Sequence, residues 1–282
     1  MVFDAYGGFV FYDGAMGTML QKNGLKPGER PDIMNMTAPD AVENVHRMYV
    51  EAGSDIICTN TFGANAAALS GTGFSPEDVI LAAVSIARRA SGGRAKVALD
   101  IGPVGMLLEP MGDLEFERAY ELFAEQAEAG EKAGADFAAI ETMSDLSELT
   151  AAVRAVKENT VLPVLVTMTF DKTGNTFMGC TPESLAETAQ RLGAAAVGLN
   201  CSLEPVEMFA TAERIAKATS LPLIVKPNAG LPDGVTGLYS LGPEEFAQQM
   251  VPFAKIGVKI IGGCCGTTPE YIRVLRKTMS NA

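Results

Sequence analysis

Short apolar runs rich in β-branched residues recur along the whole chain. Several are apolar at nearly every position rather than at alternate positions, which is typical of parallel strands buried on both faces of a sheet. The runs are FVFYDG (9–14), DIICTNT (55–61), VALDIG (97–102), FAAIET (137–142), PVLVTMTF (163–170), AAVGLNCS (195–202), LPLIVKPN (221–228) and VKIIGG (258–263). The pattern therefore predicts eight parallel strands.

Segments with helical spacing of apolar residues lie between these runs. Ser75, Thr181 and Thr267 each precede such a segment, with a proline close to its first residue, which is typical of a helix start. Thr267 and Glu270 are also spaced as a capping box. The longest helical segment covers residues 114–134. Strands that alternate with helices imply right-handed parallel crossovers.

The number of strand–helix units indicates the architecture. Eight units favour a closed barrel over an open doubly wound sheet, and such barrels take about 250 residues as one domain. No linker, low-complexity tract or shift in composition divides the 282 residues. We predict an α/β fold, a single (β/α)8 TIM barrel over residues 1–282.

Composition and charge exclude several classes of partner. The formal net charge of −12 and a pI near 4.6 argue against binding to nucleic acid or to an anionic membrane. No stretch approaches the roughly 20 apolar residues of a membrane span, and the first residues lack the pattern of a signal peptide. Five cysteines, two of them adjacent, do not suggest a disulfide framework. We expect a cytoplasmic protein.

Polar side chains follow most of the predicted strands. In a (β/α)8 barrel, this end of the strands carries the active site. The residues at these positions are Asp13, Asn60, Thr61, Asp100, Glu141, Thr169, Asn200, Cys201, Lys226, Asn228, Cys264 and Cys265. We expect them to converge on one mouth of the barrel.

Three cysteines of this set suggest a metal site. Cys201 follows the sixth strand, and Cys264 and Cys265 follow the eighth, so the strand ends lie about 10 Å apart and the three thiols can meet at one ion. Three thiolates with one open position are typical of a catalytic rather than a structural zinc site. Glycines on both sides of the adjacent pair allow the backbone to turn sharply.

The alternative is that these cysteines are small buried residues. A single free cysteine is more often structural than ligating, and only the placement of three at neighbouring strand ends reverses that preference. Cys58, inside the second strand, is expected in the core, and Cys180 is interpreted as structural or incidental. A disulfide between Cys264 and Cys265 is not expected in a reducing compartment.

The expected chemistry is the activation of a thiol. A zinc ion held by three thiolates is electron-rich and suits the binding of a substrate thiol as a thiolate, which then attacks an electrophilic carbon. This reaction needs no histidine base, and the only histidine, His46, lies in a predicted helix. The turn YDGAMGTML is either a carboxylate-binding backbone or a plain strand-to-helix turn. Because Glu141 can hold an ammonium group, the features together describe a thiol amino acid.

The motifs DGAMGTML, TNTFGAN, NCS and GGCCGTTPE resemble the homocysteine S-methyltransferase family of zinc-dependent (β/α)8 barrels. The resemblance extends from Asp13 to about residue 275. LLEPMGD, TFDKTG and KPNAGLP are most similar to the homocysteine-binding barrel of cobalamin-dependent methionine synthase. The resemblance implies that Cys201, Cys264 and Cys265 ligate zinc, with Asn228 as a weak fourth ligand that the substrate displaces.

The resemblance also implies a site for L-homocysteine, which would be methylated to methionine. Glu141 would bind its ammonium group, and the whole substrate set follows the first four strands: Asp13, Gly14, Gly17, Thr18, Asn60, Asp100 and Glu141.

The methyl donor is less constrained by the sequence. The local motifs favour a methylcorrinoid, methylcobalamin on a partner protein or domain, whereas free-standing relatives use S-methylmethionine or betaine. Cobalamin-dependent methionine synthase continues into further domains, so we expect either an excised domain or a free-standing subunit. The apolar segment PVGMLLEPMGD (103–113) is either part of a docking surface for the corrinoid carrier or a loop packed on its own barrel.

Two other functions remain open. Lys226, at the end of the seventh strand, is a candidate nucleophile for a Schiff-base aldolase, although this leaves the three cysteines unexplained. The second is a non-catalytic, zinc-stapled docking subunit, although a structural zinc site normally has four protein ligands.

Overall fold

The computed structural model describes residues 3, 6–26, 28–234, 237 and 239–280. Its strands are β1 (Val10–Phe11), β2 (Ile56–Cys58), β3 (Lys96–Ile101), β4 (Phe137–Met143), β5 (Val164–Met168), β6 (Ala196–Asn200), β7 (Leu223–Lys226) and β8 (Val258–Ile261). Each falls on one of the eight predicted runs. All pair in parallel, in the order β1-β8-β7-β6-β5-β4-β3-β2.

The sheet closes between its first two strands. Tyr12, just after β1, forms a parallel bridge with Ile56 of β2. The N–H of Asp55 donates to the carbonyl of Phe11 at 2.7 Å, and the N–H of Phe11 donates to the Asp55 carboxylate at 2.9 Å. The structure therefore confirms the predicted (β/α)8 barrel.

Ten helices are found in the described part of the chain, and most follow a strand. They are α1 (Met16–Lys22), α2 (Met34–Thr37), α3 (Pro39–Ala52), α4 (Pro76–Ser91), α5 (Phe116–Ala133), α6 (Leu146–Asn159), α7 (Pro182–Arg191), α8 (Pro205–Ala218), α9 (Pro243–Met250) and α10 (Pro269–Met279). Short 3-10 helices cover Pro31–Ile33 and Val251–Ile256. None of the helices that the structure describes combines the length and apolar character needed to cross a bilayer.

The predicted helix starts are confirmed at two sites and wrong at the third. The Ser75 hydroxyl accepts from the N–H of Asp78, and Thr181 forms a capping box with Ser184. At α10 the N-cap is Thr268, not Thr267, and the predicted capping box is absent. The Thr267 hydroxyl instead donates to the carbonyl of Cys264 at 2.7 Å. This hydrogen bond anchors the loop that carries the adjacent cysteines, so the hydroxyl does not cap the helix.

An apolar layer packs against each face of the barrel sheet. One fills the barrel with inward-facing side chains, among them Val10, Ile56, Leu165 and Ile260, and it includes Cys58 as predicted. The other lies between the strands and the helices. Since successive residues of a strand face opposite sides, each strand supplies both layers in turn.

Candidate functional site

The inward-facing series becomes polar at the carboxyl ends of the strands. Ala98, Ala139, Leu165 and Ile224 lie inside the barrel, and the residue two positions further along each strand is Asp100, Glu141, Thr167 or Lys226. The period of two in a β-strand places these polar side chains directly above the apolar core. Lys226 is 4% exposed and Asp100 is 8% exposed, so this polar layer is buried.

A cavity of about 670 Å³ opens above this layer. The predicted site residues that line it come from strands on several sides of the barrel: Asp13, Gly14, Gly17, Thr18, Asn60, Asp100, Glu141, Cys201, Cys264 and Cys265. Of the predicted set, Asn228 is not among the lining residues. The structure thus brings the sulfur and carboxylate groups together in one cavity.

The three cysteines form one cluster. The sulfur atoms of Cys201, Cys264 and Cys265 all lie within 4.8 Å of one another, and the Sγ atoms of Cys201 and Cys265 are 3.8 Å apart. Sulfurs at two corners of a tetrahedral zinc site, with Zn–S bonds of about 2.3 Å, are separated by about 3.8 Å. The Cys201–Cys265 pair therefore has the spacing of two ligands in tetrahedral zinc coordination, and the sulfur of Cys264 lies close to both.

The backbone around the cysteines is specialised for this placement. Cys201 and the following Ser202 both adopt the left-handed conformation, with φ of 63°. Gly266, directly after the adjacent pair, has φ of 81°. Gly263 instead permits a close approach, since a Cβ there would lie 2.3 Å from the Thr267 hydroxyl. The predicted sharp turn is confirmed, with left-handed backbone required at Gly266.

The thiols share hydrogen bonds that favour one negative charge in the cluster. Hydrogen bonds with Cys264 and Cys265 lower the pKa of Cys201 to about 3. The same contacts with Cys201 raise the pKa of Cys265 to about 11 and raise that of Cys264 well above its ordinary value. A cation placed among the three sulfurs would favour the thiolate form at every position.

Asn228 lies beside this cluster. Its side chain hydrogen-bonds Cys201 and contributes to the low pKa of that thiol. It is 6% exposed, and its Oδ1 has no hydrogen-bond partner among the described residues. A buried side chain that contacts Cys201 and has an unpaired carbonyl oxygen fits a weak fourth ligand to a metal ion.

Glu141 is held by a buried ion pair. Its Oε2 lies 2.5 Å from the Nζ of Lys226, and the same ammonium group lies 4.5 Å from the ring centre of Tyr12. Burial by itself lowers the pKa of Lys226, but the negative charges of Glu141 and its neighbours outweigh this and raise the pKa well above its ordinary value. A lysine held as ammonium is a poor nucleophile, which argues against the aldolase hypothesis.

Two further carboxyl groups lie close to this pair. An oxygen of Asp100 lies within 4.8 Å of Glu141, and its Oδ1 has no hydrogen-bond partner in the described structure. Burial, with the charge of Glu141, raises the pKa of Asp100 well above its ordinary value. Asp13 accepts from the N–H of Cys58 at 2.8 Å, and burial raises its pKa to about 7. Three carboxyl groups with one ammonium leave room for a second cationic group.

The glycine-rich turn follows Asp13 and lies against the cysteine loop. Gly14 packs so closely that a Cβ would lie 2.5 Å from the Thr267 hydroxyl. Thr18 accepts from the N–H of Gly266 at 3.2 Å and so joins the turn to the cysteine loop. Since α1 starts at Met16, N–H groups of its first turn have no intrahelical partner. The turn is therefore both a packing element and a source of N–H donors that line the cavity.

Asn60 has a structural contact that the sequence does not indicate. Its Nδ2 donates to the carbonyl of Pro31 at 2.7 Å, and its backbone carbonyl accepts from the Nδ2 of Asn35. Arg30, Pro31 and Asp32 form part of the cavity wall. Asn60 thus holds this wall in place, and no pattern in the segment around residue 31 marked it as part of the site.

The loop at 103–113 packs on its own barrel and also has exposed apolar side chains. Val104 and Leu108 are buried, and the N–H of Val104 donates to Glu148 of α6 at 2.7 Å. Met106 and Met111 are 48% and 68% exposed, and Met106 lines the cavity. The loop is therefore anchored on its own barrel but presents apolar side chains at the mouth.

Comparison with known proteins gives a consistent result. The family model for homocysteine S-methyltransferase matches residues 10–279. The methionine synthase of Mycobacterium leprae is 36% identical over 93% of this chain, and that of Mycobacterium tuberculosis is 35% identical over 95%. The chain spans only 23% and 24% of the length of these relatives.

Solved structures show the same fold. The homocysteine methyltransferase MmuM from Escherichia coli, in an oxidised form, superposes with a TM-score of 0.84 at 23% identity, covering 95% of each chain. Its metallated form gives a TM-score of 0.84 at 21% identity and covers 98% of each chain. With the family match over most of its length, this chain belongs to the homocysteine S-methyltransferase family.

Proposed function

We propose that this chain acts as one homocysteine-binding barrel that methylates the sulfur of L-homocysteine to give methionine. The observation that carries the proposal is the placement of three thiols, with sulfur atoms within 4.8 Å of one another, in the same cavity as three carboxyl groups, two of them buried. A thiol-bearing amino acid matches both halves of that cavity. The names of the relatives, methionine synthase and homocysteine methyltransferase, support the same substrate.

The thiol end of the substrate is assigned to the cysteine cluster. Cys201, Cys264 and Cys265 would hold zinc, and Asn228 fits the fourth position until the substrate displaces it. When bound, zinc would supply a site at which the substrate thiol is deprotonated at neutral pH. A free thiol, with a pKa of about 8.5, is mostly protonated at that pH. A histidine base does not serve this cavity, since the one histidine, His46, is buried in α3 and its ring nitrogens have no hydrogen-bond partner among the described residues.

The amino-acid end is assigned to the carboxyl groups and the glycine-rich turn. Asp100 is the best-placed acceptor for the substrate ammonium, since its Oδ1 is buried and unpaired, whereas one oxygen of Glu141 is already occupied by Lys226. Asp13 and the second oxygen of Glu141 complete the site. The N–H groups at Gly17 and Thr18 would then bind the substrate carboxylate.

The cavity lining favours a methylcorrinoid over a small cationic donor. Recognition of a quaternary ammonium or sulfonium group typically uses several aromatic faces. The described residues that line this cavity include one aromatic side chain, Phe62, which is 41% exposed. Phe62 and Met106 instead form an exposed apolar rim, which suits a donor carried on a partner protein or a further domain.

Zinc-edge X-ray absorption, with and without L-homocysteine, tests the metal and the substrate together. We expect three sulfurs and one lighter ligand in the free protein, changing to four sulfurs when L-homocysteine is added. Cys201→Ser should remove one sulfur from the zinc environment. Cys180→Ser, which alters a cysteine outside the cluster, is its matched control and should leave that environment unchanged. Four sulfurs in both states, or a zinc environment that ignores homocysteine, would contradict thiol activation and favour a structural metal.

The donor is tested by turnover. Methylcobalamin, S-methylmethionine and betaine are supplied separately to zinc-loaded protein with L-homocysteine, and methionine is measured. We expect methylation from methylcobalamin only. Turnover with either small cation at a comparable rate would refute the assignment of the donor and leave the homocysteine site intact.

A further inference from the structure

Asn200, the last residue of β6, connects the two halves of the site. It is fully buried and directly precedes Cys201. Its Nδ2 donates to the hydroxyl of Thr142 at 2.8 Å and to the Sγ of Cys264 at 3.8 Å. Its Oδ1 accepts from the N–H of Thr142 at 2.9 Å and from the Thr167 hydroxyl at 2.7 Å. The side chain therefore uses both of its amide hydrogens and both acceptor positions of its oxygen.

These contacts also fix which way the amide points. The N–H of Thr142 is a backbone donor and requires an oxygen opposite it. Because Oδ1 occupies that place, Nδ2 must face Cys264. The donation to sulfur thus follows from the hydrogen-bond network, and rotating the amide would set two donors against each other.

Thr142 has a backbone conformation that needs such support. Its φ is 62°, in the left-handed region that β-branched residues rarely adopt. It lies where the pairing of β4 with β5 shifts register between Ile140 and Met143, as at a β-bulge. Such a shift changes the direction of neighbouring side chains, and the neighbour here is Glu141.

We propose that Asn200 is a positioning residue that ties the sulfur of Cys264 to the conformation of the Glu141–Thr142 segment. On the metal side, it donates an N–H to this sulfur and thereby orients it. On the substrate side, it holds Thr142 in the left-handed conformation that directs Glu141 towards Lys226 and the cavity. The metal half of this proposal rests on the proposed zinc site, and the Thr142 half rests on the backbone geometry.

Three variants separate the metal half of the proposal from the Thr142 half. Asn200→Asp fills nearly the same volume and keeps an acceptor for the N–H of Thr142, but it places an oxygen against Cys264. Asn200→Ala removes the contacts on both sides. Adding Thr142→Gly to Asn200→Ala makes the left-handed conformation unstrained without restoring any contact to Cys264. Asn159→Asp, at the far end of α6, is the matched control for the change from amide to carboxylate.

The first readout is zinc affinity without substrate, measured by competition with a chromophoric chelator. Loss of an outer contact to a metal ligand typically costs about 10–100-fold in affinity. We expect a loss of this size in Asn200→Asp and Asn200→Ala, with no recovery in the double variant. The thiolate-to-metal absorption of the cobalt-substituted protein should shift in the same variants and remain unchanged in Asn159→Asp.

The second readout is the KM for L-homocysteine in zinc-saturated protein. We expect it to rise more in Asn200→Ala than in Asn200→Asp, and to recover at least partly when Thr142→Gly is added. If Asn200→Ala does not fold, the near-isosteric Asn200→Asp still tests the metal half. The proposal would be overturned if both Asn200 variants bound zinc with an affinity within twofold of wild type and their thiolate-to-cobalt absorption did not shift. A wild-type protein that binds no zinc would overturn it together with the proposed metal centre.

Discussion

The ion pair between Lys226 and Glu141 lies at the centre of the site, and Lys226→Met tests what it does for the fold. The two side chains are 5% and 14% exposed, and their charged atoms are 2.5 Å apart. At an effective dielectric constant of about 20, this separation corresponds to an attraction of about 6–7 kcal/mol. Part of that is offset by the desolvation of the ammonium, which the methionine no longer requires.

The net cost of the substitution is set by the charge that remains. Lys226→Met leaves Glu141 buried beside Asp13 and Asp100 with no described cation as close. Removing one partner of a buried pair typically costs about 3–5 kcal/mol. That is a large fraction of the roughly 5–15 kcal/mol by which a typical domain is stable. We expect the folded state of Lys226→Met to be destabilised by about this amount.

Equilibrium unfolding in urea measures the effect. The control is Lys132→Met, which removes the cation of the exposed pair between Lys132 and Glu77 and should leave the unfolding midpoint close to wild type. Adding Glu141→Gln to Lys226→Met removes the uncompensated charge and should recover more than half of the lost stability. A midpoint for Lys226→Met as close to wild type as that of Lys132→Met would refute the reasoning.

Three further predictions concern single residues. Burial raises the pKa of Asp13 from 3.8 to about 7, so the folded state binds this proton more tightly than the unfolded state. The free energy of unfolding should therefore fall by roughly 4 kcal/mol as the pH rises from about 4 to 7. Asp13→Asn should flatten that part of the profile of urea midpoint against pH, and an unchanged slope would contradict this prediction. Cys201→Ala should lose bound zinc and methylation while its circular dichroism spectrum stays like that of wild type, because a barrel of this size does not need a metal to fold; gross unfolding would instead favour a structural metal. Met106→Glu should slow methylation by a protein-borne methylcorrinoid far more than methylation by free methylcobalamin, and equal slowing would place Met106 in homocysteine binding rather than docking.

The strands and the mouth of the barrel could be predicted because both follow from local patterns. Continuous apolar runs specify strands buried on both faces, and the first polar residue after such a run lies where the strand ends. Asp100 and Glu141 were identified in this way. The burial of these two residues could not be predicted, because the depth of the polar layer depends on how eight strands tilt and stagger around the barrel.

Contacts across the barrel could not be predicted from spacing. Glu141 and Lys226 were assigned to an ammonium site and to a rival Schiff-base function, yet they bind each other. Their strands, β4 and β7, are three places apart in the sheet, so the contact is made through the interior rather than along the sheet. Asn228, which follows β7, contacts Cys201 at the end of the neighbouring strand β6, but it does not line the cavity although it follows a strand as the other site residues do.

The cysteine loop shows how one residue can be misassigned when two structural demands compete. Thr267 precedes a proline and a glutamate at helix-start spacing, so local rules make it the cap of α10. The loop with two adjacent thiols needs a side chain that binds its own backbone, and the Thr267 hydroxyl meets that need at the carbonyl of Cys264 while also accepting from the N–H of Ala15. The helix then begins one residue later, at Pro269, with Thr268 as its cap and no side-chain hydrogen bond there. A helix cap contributes about 1 kcal/mol, whereas misplacing the two thiols would remove the proposed metal site. The local rule fails at Thr267 because the side chain that would cap the helix is used to hold the cysteine loop.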